Sequence, residues 1–211
     1  MVATYGVFSN KNMVARKEFL SFYSDQGIYA ELDYGSPGVN RGLLFSEMLC
    51  QTNLANKAHK ILCLGSGNAY EAVNFLRNKH DCYVVELYHP SIKILHGRQV
   101  LAFGQDLPFR DKTFDLFFSC EVMEHIPEEF ADTILLEAKR VSKQVFFTIA
   151  TRDDPPFHSH ICIHNGGWWI NRFDKLGFKT INAQVNPRFS FKSDYVREIQ
   201  YPDGILMYAN C

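Results

Sequence analysis

From Lys60 onward, the hydrophobic and polar positions alternate between short apolar runs and longer segments with helical periodicity. Short apolar runs bounded by turn residues predict strands, and the periodic segments between them predict helices. The predicted strands span about 60–64, 82–86, 98–103, 114–120 and 143–150, followed by FKTINAQV and ILMYAN near the end. The predicted helices span about 69–78, 128–141 and 167–176, with a further one after Pro90.

Strands rich in Val, Ile, Leu and Phe that alternate with helices are typical of a parallel sheet covered on both faces. The last two predicted strands have no clear helix between them, so we expect one strand to run antiparallel at the edge of the sheet. The sequence therefore predicts an α/β fold with a doubly wound, seven-stranded, mostly parallel sheet, an antiparallel edge strand and helices on both faces.

The segment before the first strand has a different pattern. Met13–Tyr23 and Gly42–Leu54 suit helices, and the stretch between them is rich in turn residues. We predict that residues 1–56 form an N-terminal helical cap or substrate-side segment and that residues 57–211 form the core. A length of 211 residues allows both to belong to one compact domain.

Composition narrows the possible functions and the expected cellular environment. The formal net charge of −1 argues against a dedicated nucleic-acid-binding protein, because neutralising phosphates requires a basic surface. Aromatic residues, at 14%, suit either an aromatic-rich core or a pocket for a planar or sugar-like ligand. The sequence has no C-x-x-C pair, and Cys63, Cys82 and Cys120 lie in apolar runs, which indicates reduced thiols. With no apolar run near 18 residues, we expect a soluble, cytoplasmic protein without a membrane span.

A glycine turn follows the first predicted strand directly, as Gly65-Ser66-Gly67-Asn68. Glycine lets the backbone approach a ligand closely, and the helix that follows offers unpaired N–H groups. In an open α/β sheet the ligand lies beyond the carboxyl ends of the strands. Glu86 ends the second strand, where an acid accepts hydrogen bonds from ribose hydroxyls. These positions predict a nucleoside site.

Four segments of the chain resemble the class I S-adenosylmethionine-dependent methyltransferases of the small-molecule type, which have a Rossmann-like fold. They are ILCLGSGNA, VVELYHPSI, DLPFRDKTFDLFFSCEVMEHIP and WWINRFDKLGF. The third segment is the most specific. The resemblance covers residues 60–180 and implies an enzyme with S-adenosylmethionine as its cofactor.

The resemblance also implies roles for individual residues. The glycine turn, with Gly65, Ser66 and Gly67, would hold the amino-acid part of the cofactor. Glu86, with Leu87 beside it, would hold the ribose. Asp106 and Leu107 would lie along the adenine, and Cys120 and Glu121 would line the methyl-transfer site.

Two positions depart from the family pattern. Members usually have an acid where Cys63 stands and a third glycine where Ala69 stands. Glu71 or a residue of the N-terminal segment is a candidate to replace the missing acid, and Arg41 is a candidate to pair with the cofactor's carboxylate. The departures also keep open a protein that binds the cofactor without transferring a methyl group. A nicotinamide dinucleotide would require a third glycine where Tyr70 stands.

Histidines are the candidate groups for activating an acceptor hydroxyl. His125 follows the fourth strand, and His158, His160 and His164 follow the fifth. Three interpretations remain open for the last three: a divalent metal site, a general base or substrate-orienting group, and structural histidines. We take His160 and His125 as the catalytic candidates. The spacing matches no specific metal pattern, so no metal is predicted.

The acceptor is expected to be a small molecule, sugar or lipid head group, with oxygen favoured as the acceptor atom. Base amino-methyltransferases carry an Asn/Asp-Pro-Pro-Tyr/Phe motif after the fourth strand, and DPPF at 154–157 follows the fifth strand instead. A nucleic-acid or protein acceptor is the alternative. Of Trp168 and Trp169, at most one is expected to face a pocket, because consecutive helical residues point about 100° apart. The oligomeric state is not predicted.

Overall fold

The computed structural model describes residues 41–52, 58–67, 69–87, 95, 97–153, 155, 159–190, 198–200 and 203–211. All of them belong to one unit that spans residues 36–211. The predicted helix at Met13–Tyr23 lies outside the described residues, as does most of the predicted N-terminal segment 1–56. Of the helix predicted after Pro90, the described residues include only Leu95 and Gly97.

The described elements follow the predicted alternation. They are α1 (Arg41–Gln51), β1 (Lys60–Leu64), α2 (Tyr70–Arg77), β2 (Asp81–Glu86), β3 (Gln99–Leu101), β4 (Phe114–Cys120), a 3₁₀ turn (Met123–His125), α3 (Glu128–Val141), β5 (Ser142–Ala150), α4 (Gly166–Lys175), β6 (Lys179–Val185), β7 (Arg188–Ser190), β8 (Glu198–Gln200) and β9 (Gly204–Asn210). The bounds agree with those predicted to within three residues. The short antiparallel pair β7–β8 was not predicted.

The large sheet has seven strands in the order β3-β2-β1-β4-β5-β9-β6. The first five are parallel to one another, and β9 runs antiparallel to both β5 and the edge strand β6. The predicted fold class is confirmed, with β9 as the reversed strand. The chain leaves the sheet centre in opposite directions from β1 and β4, so a crevice opens beyond their carboxyl ends.

Each face of the sheet is covered by its own hydrophobic cluster. Alternate residues of β1 divide between them: Ile61 and Cys63 pack with α1 and α2, whereas Leu62 and Leu64 pack with α3 and α4. This division follows from the period of two in a strand. Helix α1, within the predicted N-terminal segment, is therefore part of the packing on the sheet. Among the described helices, none is long and apolar enough to cross a membrane.

Candidate functional site

The turn after β1 requires glycine at its first position. Gly65 has φ +69°, and a Cβ atom there would lie 2.4 Å from Cγ2 of Val122, in the loop after β4. Its N–H donates to the carbonyl of Val85 at 3.0 Å, which holds the turn against β2. Because Gly65 has no side chain, the backbone that follows β1 can pass close to the loop after β4.

Gly67, at the third position of the turn, differs from Gly65 in its surroundings. Its φ is +50°, and apart from Gly67 and its chain neighbours no described heavy atom lies within 4 Å of the place a Cβ would take. Its N–H donates to Oε1 of Glu86 at 2.5 Å, and the N–H of Leu87 donates to Oε2 of the same carboxylate at 3.3 Å. The structure therefore brings together the glycine turn and the acid that ends β2.

The two carboxyl groups of this region are hard to ionise. Burial raises the pKa of Glu86 to about 7, although the N–H groups of Gly67 and Leu87 favour its charged form. Burial likewise raises the pKa of Glu71, in the first turn of α2, to about 7, and the nearby charge of Glu86 adds to the effect. Both groups therefore change charge near neutral pH.

Glu71 is the acid near Cys63, the position at which the family usually has an acidic residue. The Cys63 side chain is buried, with its Sγ 3.5 Å from Sγ of Cys82. The Ser66 hydroxyl is close to both Cys63 and Glu71, yet no described atom forms a hydrogen bond of normal geometry with it. Ala69 adopts the left-handed region at φ +53° as the N-cap of α2, which explains why glycine is usual at this position.

Side chains of α3 form hydrogen bonds with the backbone of the Leu-Pro-Phe segment. The N–H of Leu107 donates to Oε2 of Glu137 at 2.8 Å, and the Leu107 side chain is buried in the core. Arg140 donates to the carbonyls of Leu107 and Phe109 and to Glu137. Asp106 has an exposed side chain. The structure thus accounts for Leu107 as a packing residue, and its predicted adenine contact stays a prediction, as does that of Asp106.

Beyond β4, Cys120 and Glu121 stand at the mouth of the crevice. Thr148 of β5 donates through Oγ1 to Sγ of Cys120 at 3.0 Å and to Oε1 of Glu121 at 3.3 Å. Glu121 has φ +58°, a strained value for a residue other than glycine, and its Oε2 accepts a hydrogen bond from Nη1 of Arg41 at 2.6 Å. Such strain at a strand end is typical of functional sites. Arg41, predicted to pair with a cofactor carboxylate, pairs here with Glu121.

His125 and His160 come together across the loops that follow β4 and β5. Their ring centroids are 4.8 Å apart, at an interplanar angle of 74°. Nδ1 of His125 lies 3.0 Å from the carbonyl oxygen of Ser159, and Nδ1 of His160 lies 2.6 Å from that of Arg152. A carbonyl only accepts, so each Nδ1 carries a proton and the lone pair of the neutral ring is on Nε2.

Glu124 joins this pair and was not singled out by the sequence. Its side chain is fully buried, Oε1 accepts from the N–H of Ala150 at 3.2 Å, and Oε2 has no hydrogen-bond partner among the described residues. Its own carbonyl accepts from the N–H groups of Ile161 and Cys162, which attaches the loop after β5 to the 3₁₀ turn. The sequence did contain a signal for Glu124, because it is an acid next to His125 with the apolar residues Val122, Met123 and Ile126 around the pair.

The remaining histidines and tryptophans of the loop lie elsewhere. His164 stacks on Trp168 at 3.7 Å, and its Nε2 lies 2.9 Å from Oε2 of Glu128. Trp169 is fully buried in the core, so one tryptophan packs inside, as predicted. His158 lies outside the described residues.

Comparison with known proteins gives a family match for the central part of the chain. Residues 62–145 match a family model described as a methyltransferase domain. No curated protein matches the chain significantly. The matched range begins in β1, contains the glycine turn, Glu86 and the Glu124–His125 block, and ends in β5.

Several solved structures share the fold. A 1,6-didemethyltoxoflavin-N1-methyltransferase from Burkholderia thailandensis, with bound 1,6-didemethyltoxoflavin and S-adenosylhomocysteine, is 15% identical with a TM-score of 0.64, over 99% of this chain and 92% of that chain. An S-adenosylmethionine-dependent methyltransferase from Archaeoglobus fulgidus is 14% identical with a TM-score of 0.61, over 90% and 99%. The [4+2]-cyclase SpnF is 12% identical with a TM-score of 0.62, over 93% and 94%. At these identities the likeness shows the shared fold.

Proposed function

We propose that this chain is a class I S-adenosylmethionine-dependent methyltransferase that transfers a methyl group to an oxygen atom of a small-molecule acceptor, such as a sugar or a lipid head group. The membership rests on the match of residues 62–145 together with the seven-stranded sheet. S-adenosylmethionine is accordingly the cofactor. The acceptor, and the residues that act on it, are proposals.

The residues at the crevice fit this cofactor. The open space at Gly67 suits a close approach of the amino-acid part, and the unpartnered Ser66 hydroxyl offers a donor and an acceptor within the described turn. We propose that the Glu86 carboxylate, at the end of β2, accepts hydrogen bonds from ribose hydroxyls. The cofactor supplies a methyl group on a sulfonium sulfur. The protein has to hold the acceptor in line with it and exclude water.

Glu71 is our candidate for the acid that Cys63 does not provide. Its carboxyl is buried beside Ser66 and Cys63 at the first turn of α2. A cationic ammonium group in the turn would favour the ionised form of Glu71 and would offset the cost of its burial. We therefore propose that Glu71 orients the amino-acid end of the cofactor from within the helix that follows the turn.

The preference for an oxygen acceptor rests on one observation, the pairing of His125 with His160. A hydroxyl is a weak nucleophile until its proton is removed or acidified. The lone pairs on Nε2 are suited to this, because they can take the proton or bind a cation that acidifies the hydroxyl. A small acceptor is supported by the methyltransferase from B. thailandensis, whose name places its methyl group on N1 of a small molecule. The choice of oxygen therefore rests on the histidines alone.

The six cysteines are all free thiols in the structure. Free thiols, two of them 3.5 Å apart at Cys63 and Cys82, favour a reducing compartment. We include the cytoplasm in the proposal on this ground.

The test is release of S-adenosylhomocysteine by the purified protein, measured across a panel of sugars, head-group alcohols, phenols and amines. We expect turnover with a hydroxyl acceptor. His160→Ala should lower kcat by about 10²-fold, the usual scale of acid–base catalysis, and leave cofactor affinity within a few-fold. His80→Ala is the matched control, because Nδ1 of His80 also lies against a carbonyl, that of Ala58, away from the crevice. Turnover with amines alone, or an unchanged kcat in His160→Ala, would contradict the proposed roles.

A second candidate function is cofactor binding without methyl transfer. Cys63 and Ala69 depart from the usual cradle, and one protein with this fold is a [4+2]-cyclase. Under this alternative the protein binds S-adenosylmethionine, and no acceptor on the panel yields S-adenosylhomocysteine. Titration of the cofactor and measurement of turnover together separate the two functions.

A further inference from the structure

We propose that Glu124, His125 and His160 form a binding site for one divalent transition-metal ion, and that this ion holds the acceptor oxygen. The inference rests on the proposed function and specifies how the two histidines activate the hydroxyl. Within the part of the chain that the structure describes, this is the one group of three or more histidine, cysteine, aspartate or glutamate residues that could hold a metal ion.

The donor atoms lie close enough for a shared ion. One ligand atom from each residue lies within 4.8 Å of the other two. Zinc ligands bind at about 2.0–2.2 Å, so atoms around one tetrahedral ion are roughly 3.5 Å apart. Small side-chain movements would therefore complete the site. His125 and His160 are only partly buried, so they have room to make them.

The two imidazoles already have the tautomer that suits metal binding through Nε2. Each donates its Nδ1–H to a backbone carbonyl, that of Ser159 or that of Arg152. In metalloproteins this outer hydrogen bond fixes the tautomer, directs Nε2 to the metal and raises its basicity. Both carbonyls come from the loop after β5, so the loop orients the two rings together.

Glu124 supplies the negative charge. It is fully buried, and its Oε2 lacks a hydrogen-bond partner among the described residues, an arrangement that is costly for a carboxylate in an apolar setting. A cation would compensate this cost.

The donor set indicates which ion binds. Two imidazoles and one carboxylate suit Zn²⁺, Co²⁺, Mn²⁺ or Fe²⁺, whereas Mg²⁺ prefers oxygen ligands in an octahedral shell. Three protein ligands leave coordination positions open, as in catalytic rather than structural sites. An acceptor hydroxyl in an open position would have a lowered pKa.

The chemical step balances without a further reactant. The metal-bound hydroxyl releases its proton to water, and the acceptor oxygen forms the new O–C bond with a lone pair. The C–S bond breaks, and its electron pair stays on sulfur, which becomes a neutral thioether. The ion remains divalent throughout, so no oxidant or reductant is needed.

The direct test is metal binding by the chelator-treated protein, followed by Co²⁺ absorption and by calorimetric titration with Zn²⁺ and Mg²⁺. We expect one Co²⁺ per chain, without the thiolate charge-transfer band that binding at Cys63 and Cys82 would produce. His160→Ala and His125→Ala should each weaken binding by about 100-fold or more, at least the loss usual for an outer-shell partner. Glu124→Gln should do the same, and His80→Ala should bind as the unaltered protein does. Circular dichroism establishes that each variant is folded.

Failure of the metal site and failure of the proposed function give different results. Methyl transfer that survives chelation, together with equal Co²⁺ binding by the unaltered protein and by His160→Ala, would overturn the metal site and leave the methyltransferase assignment intact. Stoichiometric Co²⁺ binding that depends on His160, without turnover on any acceptor, would retain the site and contradict the proposed function. Turnover that is lost on chelation and restored by Zn²⁺ or Mn²⁺ supports both.

Discussion

The backbone N–H of Gly67 donates to Oε1 of Glu86 at 2.5 Å, so the glycine turn after β1 and the acid that ends β2 form one connected unit. The part of the site expected to hold the amino-acid end of the cofactor is thereby linked to the part expected to hold its ribose. A change at either residue should alter the position of the other.

Replacing Glu86 by Gln should weaken cofactor binding. The substitution keeps the shape of the side chain but removes the charge that strengthens hydrogen bonds from ribose hydroxyls. We expect a loss of roughly 1–3 kcal/mol at pH 8, or about 5- to 150-fold in Kd, measured by calorimetric titration with S-adenosylmethionine. Glu129→Gln, on the exposed face of α3, is the control and should bind as before. An unchanged Kd in Glu86→Gln would remove the residue from the ribose site.

The ligand-free protein should lose stability as pH rises through neutrality. In the folded protein burial raises the pKa of Glu71 and of Glu86 to about 7, from ordinary values of 4.5. Between these pH values the folded state holds protons that the unfolded state has lost, so the free energy of unfolding falls as pH rises from about 4.5 to about 7. The contribution of one carboxyl is at most about 3 kcal/mol.

Urea unfolding of Glu71→Gln at pH 5, 6, 7 and 8 isolates one of these groups. Because glutamine does not titrate, the free energy of unfolding of the variant should fall less between pH 5 and pH 8 than that of the unaltered protein. The stability of the variant relative to the unaltered protein should therefore increase as pH rises. Parallel curves for the two proteins would mean that Glu71 titrates in its ordinary range.

Gly67→Ala should impair binding more than it impairs folding. Its Cβ enters open space among the described residues, so the cost to stability is that of a positive φ, about 1–2 kcal/mol. The same Cβ occupies the place proposed for the amino-acid end of the cofactor, and the Kd should rise at least tenfold. Gly97→Ala is a matched control, because Gly97 also has positive φ and open surroundings away from the crevice. Equal binding losses in both variants would contradict the placement.

Arg140→Lys should loosen the Leu-Pro-Phe segment. The guanidinium of Arg140 donates to the carbonyls of Leu107 and Phe109 and to both oxygens of Glu137, and a lysine cannot reproduce this fork. We expect a loss of about 1–3 kcal/mol in unfolding free energy and faster hydrogen exchange at the Leu107 amide. Unchanged exchange at this amide would mean that Glu137 alone holds the segment.

Local patterns were sufficient to predict the fold and to locate the glycine turn and Glu86, which the structure brings into contact. The strand ends, the glycine turn and Glu86 all follow from periodicity and from the rule that ligands lie beyond the carboxyl ends of the strands. Glu86 could be located in advance because it directly follows an apolar run. The position of β9 inside the sheet could not, because it depends on pairing with both β5 and β6.

The proposed acceptor side of the site depends on contacts between loops. Glu124, His125 and His160 meet because the N–H groups of Ile161 and Cys162 attach the loop after β5 to the turn after β4. No periodic signal encodes this attachment. Among the histidines after the fifth strand, His158, His160 and His164, we took His160 as the candidate, but the sequence did not show that its ring would meet that of His125. The structure pairs His160 with His125 and places His164 against Trp168.

Calorimetric titration of the purified protein with S-adenosylmethionine is the most informative single experiment. Binding of one cofactor per chain is expected, with a Kd in the micromolar range, retained in Gly97→Ala and weakened in Gly67→Ala and Glu86→Gln. Absence of binding at about 1 mM cofactor, or binding that none of these substitutions changes, would contradict the assignment of the crevice beyond β1 and β4 as a methyltransferase site.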